Sequence, residues 1–240
     1  MKLTKNKKIA ELIGIILGDG SIQLDYDSSH YSCEIAFNYM DEKEYLFYVK
    51  SLIESIFNIV PSLQTKRKDN CAVLRIFQKK IVESLVDVGV VPGNKIKNQV
   101  GVPEWIKNCS KNSIISACIK GLFDTDGSIF LSRYKKKNYI SLGLNFTNGS
   151  KILVKDFKKL SSSLGIFTSK IYKYEGRSKY GTPYIGYSTR TEAKDNVHKF
   201  LREIVKPFKW TLKKPIIERE LLSYGITIED IFKYKRKTYS

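Results

Sequence analysis

The chain has 240 residues, of which 42% are apolar, so it is long enough to form one large globular domain or two small ones. Its 42 lysines and arginines outnumber its 24 acidic residues and give a formal net charge of +18, which favours a polyanionic partner because such an excess repels itself in a compact protein. The apolar runs are too short to span a bilayer and the start of the chain lacks the apolar segment of a secretory signal, so we expect an intracellular protein, in an organelle or a microbial cytoplasm, that binds nucleic acid and no membrane.

The hydrophobic periodicity of the first half predicts short helices and strands in a definite order. In chain order we predict a helix over 8–18 that ends at Asp19-Gly20, a hairpin with strands over 21–27 and 31–39, a helix over about 42–57 with Asp41 as its cap, strands over 62–68 and 72–78, and a helix over 79–88. Apolar and polar residues alternate along 31–39, which is typical of a strand with one buried face.

The second half runs through the same series. We predict a helix over 112–125 that ends at Asp126-Gly127, a hairpin with strands over 128–134 and 138–147, a helix over about 151–164, strands over 167–174 and 183–190, and a helix over 191–205. A repeat of this length indicates a duplicated domain, with two αββαββα units in an α/β fold of the α+β kind, and not a solenoid. We place the N-terminal repeat at 1–105, the C-terminal repeat at 106–214 and a helical extension at 215–240.

The first helix of each repeat carries small residues four positions apart, Gly14 with Gly18 and Gly121 with Thr125. Residues at this spacing share one helix face. An interior glycine costs about 1 kcal/mol relative to alanine, so its presence calls for a compensating contact that no larger residue would permit. The sequence therefore predicts that the two helices pack on each other through these faces.

That packing brings Asp19 and Asp126 together at the C-terminal ends of the two helices. An aspartate there faces the negative end of the helix dipole, and two adjacent carboxylates repel each other unless one is protonated or a cation binds. Two carboxylates, backbone carbonyls such as those of Gly18 and Thr125, and water are ligands that suit Mg²⁺. Asp-Gly is also a common turn sequence, but its recurrence after two similar helices favours a shared metal site.

The low content of histidine and cysteine also favours a site built from carboxylates. The chain has two histidines and four scattered cysteines with no CxxC pair, so zinc sites and schemes that need several imidazoles are disfavoured. Hydrolytic chemistry would have to use carboxylates, lysines and a cation that prefers oxygen ligands.

At these residues the sequence resembles the LAGLIDADG homing endonucleases, in the single-chain form with two copies of the motif, over about 9–210. The second copy, IKGLFDTDG, is close to the family pattern, whereas the first, LIGIILGDG, has Leu17 where many members have an acid. That position is not a metal ligand in the family. The resemblance implies that Asp19 and Asp126 coordinate the metal, and that Asp124 is a helix-end residue.

The resemblance also implies the fold and the target. Two four-stranded antiparallel saddle-shaped sheets, related by a pseudo-two-fold axis, would lie in successive major grooves of a DNA site of roughly 20 base pairs, two turns of duplex. The polar strand faces carry side chains able to contact base edges and phosphates. They are Ser21, Gln23, Asp25, Glu34, Asn38, Lys66, Lys68, Arg75, Ser128, Ser132, Tyr134, Asn145, Lys173 and Arg190. The hairpin tip at 135–137 either touches phosphate or is simply solvated.

Family members often place one lysine per half near the active site. In the first half Lys95 best matches that position, with Lys97 as the second choice. In the second half Lys209, Lys213 and Lys214 compete, and we favour Lys213. Asn38, at the end of its strand, is a further candidate that would organise water near the metal.

We therefore expect a monomeric, Mg²⁺-dependent DNA endonuclease that makes double-strand breaks, with no obligate protein partner; Mn²⁺ or Ca²⁺ could occupy the same site. The alternative is an RNA-binding intron maturase of the same fold, with intron RNA as its partner. A transcription regulator that has lost catalysis is disfavoured because both aspartates are intact. An intein is disfavoured because the residues that protein splicing needs are missing at both ends of the chain.

Overall fold

A computed structural model describes residues 1–66, 70–134, 139–177, 181–204 and 208–233 of the chain. The first repeat contains α1 (Lys7–Asp19), β1 (Gly20–Asp25), β2 (His30–Asn38), α2 (Lys43–Phe57), β3 (Ser62–Lys66), β4 (Cys71–Ile76) and α3 (Lys79–Asp87). After a short helix, α4 (Glu104–Lys107), the second repeat contains α5 (Asn112–Asp126), β5 (Gly127–Tyr134), β6 (Tyr139–Asn148), α6 (Lys151–Ser163), β7 (Tyr172–Arg177), β8 (Pro183–Thr191) and α7 (Lys194–Glu203). The helices α8 (Phe208–Leu222) and α9 (Ile228–Lys233) follow.

This order confirms the predicted two-repeat α+β arrangement, with three local differences. The strand predicted over 167–174 begins only at Tyr172, because Lys158 Nζ takes the carbonyls of Thr168 (2.7 Å) and Ser169 (2.8 Å) that a strand would use. Asp41 does not cap α2; the cap residue is Glu42, which makes no side-chain capping bond. Helix α4 was not predicted, since four residues are too few to show a periodicity.

Each repeat forms a four-stranded antiparallel sheet with the same topology. The strand order is β1-β2-β4-β3 in the first sheet and β5-β6-β8-β7 in the second. Apolar side chains on one face of each sheet, such as Ile35 and Leu74 in the first and Leu144 and Phe146 in the second, are buried in the core. The opposite faces carry mostly polar residues, as the period-two pattern requires.

The two repeats meet along α1 and α5, whose backbones come close together at two glycines. A Cβ on Gly14 would lie 2.9 Å from the amide nitrogen of Leu122, and a Cβ on Gly121 would lie 2.9 Å from that of Ile15. Further along, Gly18 faces the side chain of Thr125. The predicted packing through the two motif helices is confirmed, and no residue larger than glycine fits at the two central positions.

Helix α8 connects the two repeats on another side. Its first residue, Phe208, packs its ring on Tyr45 and Tyr48 of α2, with ring centroids 5.2 and 6.0 Å apart. Further along, Glu220 forms an ion pair with Arg133 of β5. The predicted repeat boundary at 214/215 falls inside this helix, and the division into domains remains a prediction. No helix in the described ranges has the length and apolar character needed to cross a membrane.

We expect Gly121→Ala to lower the free energy of unfolding by about 1–3 kcal/mol or more, because the added methyl group would meet the α1 backbone and not a movable side chain. Urea unfolding would measure the change. Ser51→Ala, on the exposed face of α2, is the matched control and should be neutral or slightly stabilising. A Gly121→Ala protein as stable as the original would contradict the close packing of α1 on α5.

Candidate active site

Asp19 and Asp126 end their helices at the contact between the repeats. Each helix stops because the next residue, Gly20 or Gly127, has an extended backbone and leads directly into a strand. Asn148 of β6 donates a hydrogen bond to Asp126 Oδ2 at 2.7 Å. Asp19 is accessible to solvent, although it lies among many protein atoms. The structure thus places one carboxylate from each repeat at a common centre.

Both carboxyl groups have a raised pKa. Burial raises the pKa of Asp19 to about 6, and the negative charges of Asp126 and Glu42 act in the same direction. Burial also raises the pKa of Asp126, although the hydrogen bond from Asn148 and the nearby Lys95 and Lys209 oppose this shift. Two acids that resist ionisation together form a site that favours a bound cation.

Two lysines occupy corresponding places at the ends of the motif helices. Lys95 Nζ donates to the carbonyls of Leu17 (3.1 Å) and Gly18, and Lys209 Nζ donates to those of Thr125 and Gly127, both at 2.8 Å. Burial lowers the pKa of both lysines, and the carboxylates nearby partly offset this effect. The ammonium groups therefore lie beside the aspartates, where a phosphate would be close to them.

Local structure fixes both lysines. The connection that carries Lys95 is tied to β1, because the amide of Gly93, at a left-handed φ of 88°, donates to the carbonyl of Ile22 at 2.9 Å. Lys209 is held at the start of α8 by its own amide, which donates to Asp124 Oδ1 at 2.9 Å. Each lysine is thus anchored by backbone hydrogen bonds as well as by its side chain.

The sequence-based prediction that Lys213 lies near the two aspartates was wrong. Lys213 lies one turn further along α8 and is exposed, and the corresponding place is taken by Lys209. Lys214 forms an ion pair with Glu218 at 3.4 Å, and Lys97 is exposed. The spacing of the lysines could not distinguish them, because which one reaches the centre depends on where α8 begins.

Asn38 lies at the end of β2, next to the centre, but its side chain is used locally. Its Oδ1 accepts from the amide of Asp41 (3.1 Å) and from Asn70 Nδ2 (2.8 Å), and its own amide donates to Glu42 Oε2 at 2.8 Å. Glu42 is close enough to Asp19 to raise its pKa and was not identified from the sequence. Asn148 was missed as well.

A buried ionic cluster lies between the motif helices behind the centre. Lys120 Nζ contacts Glu11 Oε1 at 2.5 Å and Asp124 Oδ2 at 3.1 Å, and Tyr48 donates a hydrogen bond to Glu11. Burial opposes the charge on Lys120, but the two acids outweigh it and raise the pKa of Lys120. Because Asp124 also accepts a hydrogen bond from the amide of Lys209, this cluster connects both repeats to Lys209. The helix-end position expected for Asp124 is observed, together with this additional contact.

The strand register shows which predicted side chains share the polar faces. In the first sheet these are Ser21, Gln23, Asp25, Glu34, Asn38 and Arg75, and in the second they are Ser128, Ser132, Tyr134, Asn145 and Arg190. The backbone of Lys66 is in register with the first set, whereas Lys68 and the tip at 135–137 lie outside the described residues. Lys173 was wrongly assigned to this face, because it pairs with Tyr187 on the opposite side of the sheet, where it contacts Glu175 at 3.1 Å.

The donor set fits a divalent cation that prefers oxygen. Within the described residues no group of three or more His, Cys, Asp or Glu side chains is arranged as a metal site. A cation here would therefore depend on the carboxylates of Asp19 and Asp126, on backbone carbonyls and on water. The carbonyls of Gly18 and Thr125, expected as ligands, accept hydrogen bonds from the two lysines in this structure and keep a second lone pair.

Comparison with known proteins identifies the fold. The family model of the LAGLIDADG-like domain matches residues 113–205. A structure of the homing endonuclease I-DmoI in complex with DNA and Ca has a TM-score of 0.57 and 20% sequence identity, covering 87% of this chain and 97% of that one. The LAGLIDADG homing endonuclease I-GzeII in complex with its DNA target has a TM-score of 0.54 and 13% identity, covering 98% and 99%. The N-terminal LAGLIDADG domain of WhiA has a TM-score of 0.51 and 13% identity, covering 84% and 82%.

A comparison with curated protein sequences finds no match. The solved structures and the two repeats described above show that the chain has the LAGLIDADG fold with two repeats. Its segment 113–205, in the second repeat, is a LAGLIDADG-like domain. The resemblance to the single-chain LAGLIDADG homing endonucleases, inferred from the two motif helices, is confirmed.

We expect Asp19→Asn to raise the melting temperature of the metal-free protein at pH 7.5 by about 2–4 °C. Since the folded-state pKa of Asp19 is about 6, above its value in the unfolded chain, folding favours the protonated acid. The charged acid therefore costs stability above about pH 6, and this cost fades as the pH falls toward 4. Asparagine removes the cost, so the difference between the two proteins should also fade toward pH 4.

Scanning calorimetry in the presence of a chelator would measure this difference. The control is Asp87→Asn, at the exposed C-terminal end of α3, which should shift the melting temperature little. An Asp19→Asn protein that melts at or below the original temperature at pH 7.5 would refute the electrostatic cost at the centre.

Proposed function

We propose that the chain is a divalent-metal-dependent DNA endonuclease that hydrolyses both strands of a duplex at one long target site. The observation that carries the proposal is the meeting of Asp19 and Asp126, one from each repeat, with Lys95 and Lys209 in matching positions beside them. Such a pair of half-centres corresponds to two scissile phosphates, one on each strand.

The two aspartates would hold the cation, Mg²⁺ by the chemistry of the donors, with Mn²⁺ or Ca²⁺ able to take the same place. A cation so placed lowers the pKa of a bound water and neutralises charge that develops on the phosphate. The raised pKa values of the two acids support this assignment, because cation binding would offset both the repulsion and the burial.

The chain's own residues would orient the phosphates and stabilise charge. The ammonium groups of Lys95 and Lys209 interact electrostatically with both aspartates. Each ammonium group can therefore stabilise the extra negative charge of the transition state. Asn148 keeps Asp126 oriented through its hydrogen bond. Glu42, beside Asp19, can accept a proton or orient a water molecule at the first half-centre.

Duplex DNA is the proposed partner because charge and shape agree. The net charge of +18 suits a polyanion, and two polar sheet faces on either side of the centre suit two successive major grooves. The I-DmoI and I-GzeII structures are complexes with DNA, which supports the same partner here. We propose a monomer, because one chain supplies both half-centres.

Asp126→Asn and Asp19→Asn should each lower double-strand cleavage by about a hundredfold or more, because each removes a carboxylate from the shared centre. DNA affinity in metal-free buffer should stay the same or rise, since a negative charge facing the phosphates is lost. The assay is single-turnover cleavage of a duplex selected from a random library, with Asp87→Asn as control. Cleavage of both strands by Asp126→Asn at the original rate would overturn the shared centre, and a matching loss of DNA binding would assign the aspartates to folding.

Lys209→Met should slow cleavage by about tenfold to a hundredfold, whereas Lys213→Met should cleave at nearly the original rate. The reason is position: Lys209 lies beside the carboxylates and Lys213 is exposed a turn away. Lys155→Met, on the outer surface of α6, controls for the loss of one positive charge. Equal effects of Lys209→Met and Lys213→Met would argue against the position of α8 described above.

A further inference from the structure

The two polar sheet faces can be compared position by position, because their registers match. Ser21 pairs with Glu34 and Glu34 with Arg75 in the first sheet, as Ser128 pairs with Asn145 and Asn145 with Arg190 in the second. Ser21 and Ser128 come two residues after Asp19 and Asp126. In this row the two faces therefore carry similar polar residues.

Further from this row the two faces differ in chemistry. By the same register Gln23 corresponds to Phe130, Gln64 to Tyr172 and Lys66 to Tyr174. Residue types able to form hydrogen bonds in the first repeat are thus replaced by aromatic ones in the second. Tyr184 adds a fourth ring, and we call Phe130, Tyr172, Tyr174 and Tyr184 the aromatic face.

Glycines on neighbouring strands make room for three of these rings. A Cβ on Gly143 would lie 2.6 Å from Phe130 Cε2, and a Cβ on Gly186 would lie 2.6 Å from Tyr174 Cε1. Gly176 stands in the same relation to Tyr184. The aromatic rings therefore lie where side chains of the neighbouring strands would otherwise be, and they are built into the sheet surface.

The aromatic face remains accessible. Tyr172 and Tyr184 are 44% and 48% exposed, and Phe130 and Tyr172 line one concavity together with Ser128, Asn145, Ser188 and Arg190. At the described positions that match Phe130 and Tyr172, the first sheet carries Gln23 and Gln64, and there Arg75 is held by Glu34 at 3.0 Å and by Gln64. One face thus offers apolar contact and the other offers hydrogen bonds.

If the chain binds duplex DNA as proposed above, we infer that the aromatic face reads thymine methyl groups in the half-site bound by the second repeat. The methyl group of thymine is the apolar feature of a base edge in the major groove, whereas guanine and adenine edges offer hydrogen-bonding atoms that suit Arg and Gln side chains. The target is therefore asymmetric, with thymines opposite the second sheet and hydrogen-bonded bases opposite the first.

The test begins with selection of tightly bound duplexes from a random library in metal-free buffer. In the selected duplex each thymine is then replaced by deoxyuridine, which lacks only the methyl group. Each replacement in the second half-site should weaken binding by about fourfold, the effect of one buried methyl group. Replacements in the first half-site should have little effect.

Exchange variants assign the effect to the aromatic face. Phe130→Gln installs the residue of the other repeat and should remove the deoxyuridine effect at the thymine nearest to it, while Gln23→Phe should create an effect in the first half-site. Both positions lie on sheet surfaces, so we expect both variants to fold, and circular dichroism would verify this. A second variant, Tyr172→Gln, repeats the test on another strand.

The outcomes separate this inference from the proposed function. If no duplex is enriched, or single-stranded RNA outcompetes every duplex, the proposed function fails and the inference fails with it. If one duplex is enriched and cleaved but its second half-site is insensitive to deoxyuridine, the inference alone is overturned. Loss of sensitivity in Phe130→Gln with retained affinity for the deoxyuridine duplex supports it.

Discussion

The contact of the α1 backbone with the α5 backbone is the constraint on which the rest of the structure depends. Gly14 and Gly121 permit the approach, and the helices then end side by side. Every feature of the centre follows from this: two acids become neighbours, two lysines reach the carbonyls beside them, and two sheets extend from the helix ends on either side. A wider spacing of the helices would leave two ordinary Asp-Gly turns.

The buried ionic cluster and the glycine contact together determine how the two helices align. A slip by one turn would bring a larger residue to the position of Gly14 or of Gly121, where only glycine fits. A slip would separate Lys120 from Glu11 and leave charges buried without a partner, which costs about 3–5 kcal/mol when one member of such a pair is lost. The cluster and the glycine contact therefore select the alignment in which Asp19 lies next to Asp126. Asp124 extends the same control to Lys209 through the amide at the start of α8.

Much of this could be predicted from the sequence, and the exceptions have physical causes. The duplication, the glycine-spaced helices and the two aspartates are local patterns, so periodicity and spacing were sufficient to find them. Lys209 could not be told apart from its neighbouring lysines in this way, and Glu42 and Asn148 could not be found, because each reaches the centre only through tertiary contacts. Lys173 was assigned to the wrong face because polarity guided the choice, whereas the pairing of β7 with β8 places Tyr172 and Tyr174 on the face of Arg190 and Lys173 on the opposite one.

Helices α1 and α5 also set the order of events during synthesis. The two aspartates that meet at the centre are 107 positions apart in the chain, so their contact can form only after α5, the first helix of the second repeat, has been made. Until then residues 9–17 of α1, which are buried in the finished protein, have no partner helix. A chain released before α5 is complete therefore carries one acid and no paired centre, and it exposes an apolar helix that invites aggregation. The duplicated architecture therefore delays the pairing of the two acids until the second repeat has begun, and Lys209 reaches the centre only when α8 follows.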